Sequence, residues 1–347
     1  MTSTLKERYS SLDGLRAYAV IGILMMHVLA NIVLKPSPSF VTEKLIPYFT
    51  NGTYLFMMVS AFSLSCGYFV RIKNGDITPN EFYKKRYHRI WPFFAVMVMI
   101  DVALDHSPSQ LYEAFSNLTL TFNYLPYPHM SVIGVGWFLG LIFMFYISYP
   151  FFVFLIDNKK RAWIVLILSI AMSWTAASYF SSSDFVVKPI DRIYMIFSAP
   201  FFILGGIIFH YRQRISNVSK KHGEWYGYVW LIVVITIILL RVGMSLTIPE
   251  SIVLPELFIM SILLLYAISS NDIILNNPIT RYLSGISLEI YLCHMMLYRV
   301  VEMLNLERFV PNGNILYPLT CVLVMGGAII FSHITKFVVF PRIKWLH

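Results

Sequence analysis

Charged side chains are scarce in this chain of 347 residues: Asp, Glu, Lys and Arg together make up 13% of it, about half of what ordinary soluble domains carry. The shortage argues against a water-soluble globular protein, because 57% of the residues are hydrophobic and aromatic rings alone reach 16%, as expected of a chain whose solvent is partly lipid. Cysteine is rare too. The three present, Cys66, Cys293 and Cys321, show neither a disulfide framework nor metal-ligand spacing and read as packing residues, so no metal site is expected. The chain has no Gly-rich phosphate loop and no His-Glu-x-x-His pair, so a nucleotide-driven pump and a membrane metalloprotease both lose ground. It also has no internal repeat and no low-complexity tract.

What fills the chain instead is a succession of apolar runs long enough to cross a hydrocarbon core of about 30 Å as helices. They fall at 14–34, 48–70, 90–104, 132–156, 162–180, 194–211, 228–246, 252–269, 286–304 and 315–340, which predicts an all-α polytopic membrane protein with about ten transmembrane helices. The whole of 1–347 is expected to be a single membrane domain with no soluble domain appended. Basic residues outnumber acidic ones by 27 to 18, and the surplus sets topology rather than pointing to nucleic acid. With the N-terminus inside, most Lys and Arg lie in inner segments, while the outer loop 105–131 has none; both termini are then cytoplasmic. The first apolar run is too long for a secretory signal and reads as a retained helix. Basic inner loops also suit anionic lipid or a phosphorylated cytosolic substrate.

Three constellations stand out against this apolar background. Leu12-Asp13-Gly14-Leu15-Arg16-Ala17 leads into a span that contains His27. Eleven residues of helix make about three turns and roughly 16 Å of rise, so Arg16 and His27 share a face, and both are costly enough near a bilayer to suggest function. Asp13 reads as a cap of that helix. The second is Lys84-Lys85-Arg86-Tyr87-His88-Arg89-Ile90-Trp91-Pro92, where Arg86 and Arg89 share a helical face at the cytosolic end of the third span. Paired guanidinium groups suit phosphate, although a positive-inside flank with snorkelling side chains has the same composition. The third is the polar stripe Ser287, Tyr291, His294 and Tyr298 in the ninth span, which lipid cannot satisfy and which must face protein or water. A histidine there can fasten two helices as well as perform chemistry. Glu289 and Asp101 have no evident role.

Together these segments resemble the acyltransferase 3 family of membrane acyltransferases. The likeness runs through Leu12 to Ala17 with His27, Asn51-Gly52-Thr53-Tyr54-Leu55-Phe56 with Val59-Ser60-Ala61-Phe62, Phe82 to Pro92, Trp137-Phe138-Leu139 with Phe145-Tyr146, and Ile290-Tyr291-Leu292-Cys293-His294, in the family's order. It implies transfer of an acyl group, most often acetyl, from cytosolic acyl-CoA to a hydroxyl of a surface or lipid-linked carbohydrate such as O-antigen, capsule or exopolysaccharide. No permanently bound cofactor is implied, since acyl-CoA is consumed as donor substrate, and the expected location is the cell's inner membrane. By the same resemblance His27 is the essential membrane histidine and Arg16, Arg86 and Arg89 bind the donor. Tyr291 and His294 are expected to assist His27, and Trp137 and Ser287 to touch the acceptor, with helix anchoring as the alternative for Trp137. Many members have a glutamate where this chain has Ile142, and a glycine where it has Ala61.

The implied chemistry places coenzyme A phosphates on the inner arginines and its pantetheine arm in a channel leading to His27, which acts as general base or takes the acyl group itself. The proposal requires the imidazole and the guanidinium groups to share a passage. A secondary transporter of a polar solute remains the other reading of ten helices with buried ionisable groups, without the related halves such proteins often show.

Overall fold

The computed structural model describes residues 9–104, 107–120, 122–124, 133–180, 192–223, 225–243 and 253–342. The predicted span ends Val132, Leu246 and Ile252 lie outside them. The described residues are helical with no strand, and the principal helices are α1 (Leu12–Asn31), α2 (Val41–Lys73), α3 (Pro79–Leu104), α4 (Pro108–Leu118), α5 (Trp137–Ile156), α6 (Lys159–Phe180), α7 (Met195–His222), α8 (Trp225–Gly243), α9 (Leu254–Ser269), α10 (Pro278–Gly285), α11 (Ser287–Glu302) and α12 (Gly313–Arg342). Eight of them are long and apolar enough to cross a bilayer. The shorter α9 and α11, with 16 residues each, bring the total to about ten, and the protein is an all-α polytopic membrane protein.

Two helices have no counterpart among the predicted spans. One is α4, inside the outer loop, where Ser107 Oγ caps the first turn by accepting from the Gln110 backbone at 3.2 Å and Leu111, Tyr112 and Phe115 are exposed. With its short length and one-sided apolar face it has the form of a helix lying in the interface plane. The other is the eight-residue α10, started by a reciprocal Asn277–Thr280 capping box with Pro278 in its first turn, a strong local start signal that a search for long apolar runs passes over. The third span also begins earlier than the apolar pattern indicates: α3 starts at Pro79, so Arg86 and Arg89 sit inside the helix.

Burial separates the helices into a core and a rim. The most apolar windows of α5 and α7 are each 61% buried in protein, against 17% for α8, which turns most of its surface outward to lipid. In the core, α2 packs closely on α7 because small residues face each other. A Cβ at Gly205 would stand 2.3 Å from the Met58 carbonyl oxygen and 3.0 Å from the Ala61 Cβ. Ala61 thus has a packing role as a small residue at a helix crossing, and Tyr54 stacks on Phe201 at 4.2 Å in the same interface. Near its C-terminal end α2 widens into a π-helical turn over Ser65–Phe69. Replacing Gly205 by valine should push α2 and α7 apart at a cost of about 1–3 kcal/mol, read as a lower thermal midpoint of the detergent-solubilised protein.

Candidate functional site

The inner end of α1 is tied down by polar contacts that hydrocarbon could not supply. Ser11 Oγ donates to the Ser270 carbonyl at 2.6 Å, and the buried carboxylate of Asp13 accepts from Ser284 Oγ of α10 at 2.8 Å. Arg16 Nη1 also reaches Asp13 at 3.4 Å, and its Nη2 donates to Ser63 Oγ of α2 at 2.6 Å. Asp13 is not the cap expected from the sequence, since the N-cap position is Ser11 and Asp13 lies in the first turn; it joins α1 to α10 and orients Arg16.

Arg16 opens into a cavity of about 740 Å³ whose walls come from α1, α2, α3, α5, α10 and α11. Of the residues singled out in the sequence, Arg16, Arg86, Arg89, Ser287 and Tyr291 line it. The π-helical turn of α2 presents Cys66, Gly67 and Tyr68 to this space, as such turns often do at functional sites. Arg86 Nη2 donates to the Tyr68 hydroxyl at 2.8 Å, and its guanidinium lies 5.0 Å from the Tyr68 ring and 6.0 Å from that of Tyr146. Arg86 Nε is buried and has no hydrogen-bond partner among the described residues. Arg89 is placed differently, because Glu289 Oε1 accepts from its Nη1 at 3.2 Å and from Lys336 Nζ of α12 at 2.7 Å. Part of the Arg89 charge is thus answered within the protein. Ile142 is an apolar wall residue of the same cavity.

At its far end the cavity reaches Phe138 and Tyr291, whose rings meet edge to face at 5.6 Å. The Tyr291 hydroxyl donates to the Val135 carbonyl at 2.9 Å, so its proton is engaged by the backbone. Ser287 Oγ likewise donates to the Ser284 carbonyl at 3.0 Å. His294 packs on Tyr291, with ring centroids 5.9 Å apart, and meets His27 of α1 with 3.1 Å between Nε2 of His294 and Nδ1 of His27. Neither histidine lines the cavity, so the passage expected to join them to the arginines is not open in this structure; the Phe138–Tyr291 pair stands at the end nearest to them. The polar stripe does face protein, since Ser287, Tyr291, His294 and Tyr298 are all buried.

The hydrogen-bond pattern assigns the protons. His27 Nδ1 lies 3.0 Å from the Ile23 carbonyl and His294 Nδ1 lies 2.7 Å from the Tyr291 carbonyl. A carbonyl only accepts, so each Nδ1 carries a hydrogen. The one hydrogen of His27 Nδ1 is then shared between the Ile23 carbonyl and His294 Nε2, which accepts from it at 3.1 Å, and His27 Nε2 is left with its lone pair. Past this pair, Arg192 donates to Thr50 Oγ1 at 2.5 Å and is close enough to His27 to interact with it electrostatically. Trp137 stays apart from the cavity at the start of α5, where its carbonyl accepts from Asn123 Nδ2 at 3.0 Å.

Sequence reasoning missed Arg281, a cavity residue on α10, together with Tyr68, Arg192 and the Glu289–Lys336 pair. Only the pair left a usable signal: a carboxylate and an ammonium in two consecutive apolar spans each require a partner. Glu289→Ala should leave Lys336 without its carboxylate and cost about 3 kcal/mol, in the range for breaking a buried pair. Arg89→Ala keeps the Lys336–Glu289 contact, so its fall in thermal midpoint should be clearly the smaller of the two.

A family model described as an acyltransferase domain, that of the acyltransferase 3 family, matches residues 9–333. No curated protein matches the chain, and no solved structure does. The matched stretch extends from Tyr9, a cavity residue, to His333 in α12, and so takes in the arginine cavity, the aromatic pair and both histidines. The chain belongs to the acyltransferase 3 family and is a membrane acyltransferase.

Proposed function

We propose that the protein moves an acyl group, acetyl on the family resemblance, from cytosolic acyl-CoA to a hydroxyl of a cell-surface or lipid-linked carbohydrate. The inner cavity holds the donor, the membrane is the inner membrane of the cell, and both termini face the cytoplasm. The observation that carries the reading is the sequence of environments along α1 and α11: a cavity lined by arginines at one end, then the aromatic pair, then the joined imidazoles. α1 runs parallel to the consecutive helices α10 and α11, with Asp13 bonded to Ser284 of α10 at the inner end and His27 to His294 of α11 farther along, so cavity and histidines are stacked in depth. Membership of an acyltransferase family favours this reading over solute transport.

In the proposed reaction Arg16, Arg86 and Arg89 bind the donor's phosphates, with Arg86 the strongest contributor because no carboxylate among the described residues answers it. The thioester arm extends past Phe138 and Tyr291, whose rings must part to admit it to His27. His27 Nε2 takes the proton of the acceptor hydroxyl as its oxygen attacks the thioester carbonyl. The new C–O bond forms, the C–S bond breaks, and the departing thiolate receives the proton from the imidazolium, giving ester and free thiol. His294 positions His27: by accepting from Nδ1 it holds the ring in the tautomer whose Nε2 is basic, and it interacts with the positive charge while that lasts. Tyr291 supports His294 through its backbone carbonyl. Ser287 and Trp137 remain candidates for contact with substrate; Ser287 would act through its lone pairs, since its hydrogen is engaged.

Loss of a general base lowers rates by about 10²–10⁴-fold. His27→Ala, inserted in the membrane at wild-type level, should therefore lose transfer to that extent with its donor KM little moved. Arg86→Ala should raise the donor KM about tenfold or more, the weight of a charge-assisted contact, with a smaller effect on kcat. Mass spectrometry of surface glycans from cells with and without the gene should reveal an ester that disappears with it. Unchanged glycan esters, or full activity in His27→Ala, would refute the assignment.

A further inference from the structure

Among the described residues four arginines line the inner cavity, Arg16, Arg86, Arg89 and Arg281, against a single lining carboxylate, Asp13. Arg16 contacts Asp13 and Arg89 contacts Glu289. Arg86 and Arg281 contact no carboxylate among the described residues. Such cations repel one another in a partly enclosed space unless an anion joins them.

The two uncompensated cations come from different walls. Arg86 is held against Tyr68 and Tyr146, on α2 and α5. Arg281 lies on α10, one helical turn before Gly285, whose carbonyl accepts from Arg89 Nη2 at 3.5 Å and from Lys336 Nζ. Its position is set rather than free. The Nε group donates to the Asn277 carbonyl at 3.4 Å, Asn277 caps the helix, and Ser284 ties that helix to α1 through Asp13. Both terminal nitrogens of Arg281 are left without a protein partner among the described residues. Arg281 is also exposed, at the mouth, whereas Arg86 is half-buried. A basic residue that served only to set topology would not need to be turned into this cavity on a doubly anchored, capped helix.

We infer that Arg281 is a second anion subsite of the donor cavity, which reads a phosphomonoester on the nucleotide end of the donor, while Arg86 with Tyr68 takes the diphosphate. The assignment of depth follows from the donor's covalent order and rests on the acyl-CoA reading given above. In coenzyme A the thiol arm is attached to the diphosphate, and the 3′-phosphate sits beyond it on the ribose. A thioester directed inward therefore leaves its 3′-phosphate nearest the mouth. Arg281 would make the enzyme prefer coenzyme A thioesters over those of carriers that share the arm and lack the ribose phosphate.

The test compares acetyl-CoA with acetyl-3′-dephospho-CoA as donors for the enzyme in native membranes, in wild type and in Arg281→Gln, Arg281→Lys and Arg86→Gln. Wild type should prefer the phosphorylated donor about tenfold or more in kcat/KM, the weight of a charge-assisted contact. Arg281→Gln should raise KM for acetyl-CoA by a similar factor, move that for the dephospho donor less than twofold, and so erase the preference. Arg281→Lys should restore part of it, and Arg86→Gln should raise KM for both donors. Absence of preference in wild type, or an equal change for both donors in Arg281→Gln, overturns the subsite and leaves the acyl-CoA reading intact. If wild type uses neither thioester while its glycan product still forms from another activated donor, the acyl-CoA reading fails and the subsite falls with it.

Discussion

Hydrocarbon offers no hydrogen-bond partner, so each polar group carried into the embedded part of this chain must be matched by another. The pairing of α1 with α10 and α11 is the main expression of that constraint. Asp13 meets Ser284 at one end and His27 meets His294 farther on, and these two contacts fix the register of parallel helices that would otherwise slide on apolar surfaces. With that register set, Arg16 faces the cavity and His27 faces a ring nitrogen able to accept from it. A one-turn slip would leave both the carboxylate and the imidazole facing apolar neighbours.

The cavity arginines show how similar residues are differentiated by their neighbours. Arg16 is oriented by Asp13 and Ser63, Arg89 is partly answered by a carboxylate shared with Lys336, and Arg86 is supported by aromatic faces and a phenol. Aromatic support holds a guanidinium in place without neutralising it. A carboxylate holds it and weakens its attraction for another anion. The chain's use of both devices in one cavity separates structural cations from those available to a ligand.

Much of this was legible in the sequence because it rests on long-period signals. Apolar run length gave the helices, and helical spacing put Arg86 beside Arg89 and strung Ser287, Tyr291 and His294 along one side of α11. The His27–His294 contact itself was not legible: its partners are 267 positions apart, and nothing local to either says which helix it will meet. Short elements were missed for the opposite reason. α10 is too brief to register as a span, yet it supplies Ser284 and Arg281. The π-helical turn that aims Tyr68 at Arg86 changes the backbone hydrogen-bond pattern without any residue type that marks it. The extent of the cavity was likewise invisible, because it depends on where Phe138 and Tyr291 come to rest.

Those two rings lie at the far end of a chamber whose opposite end carries positive charge. On the proposed chemistry, a bulky anionic carrier docks on one side of the bilayer while only the slender end of its arm slips past an aromatic constriction. On that reading the two rings divide the donor: its charged bulk stays with the arginines, and only the acyl end of its arm travels on to the histidines once the rings part.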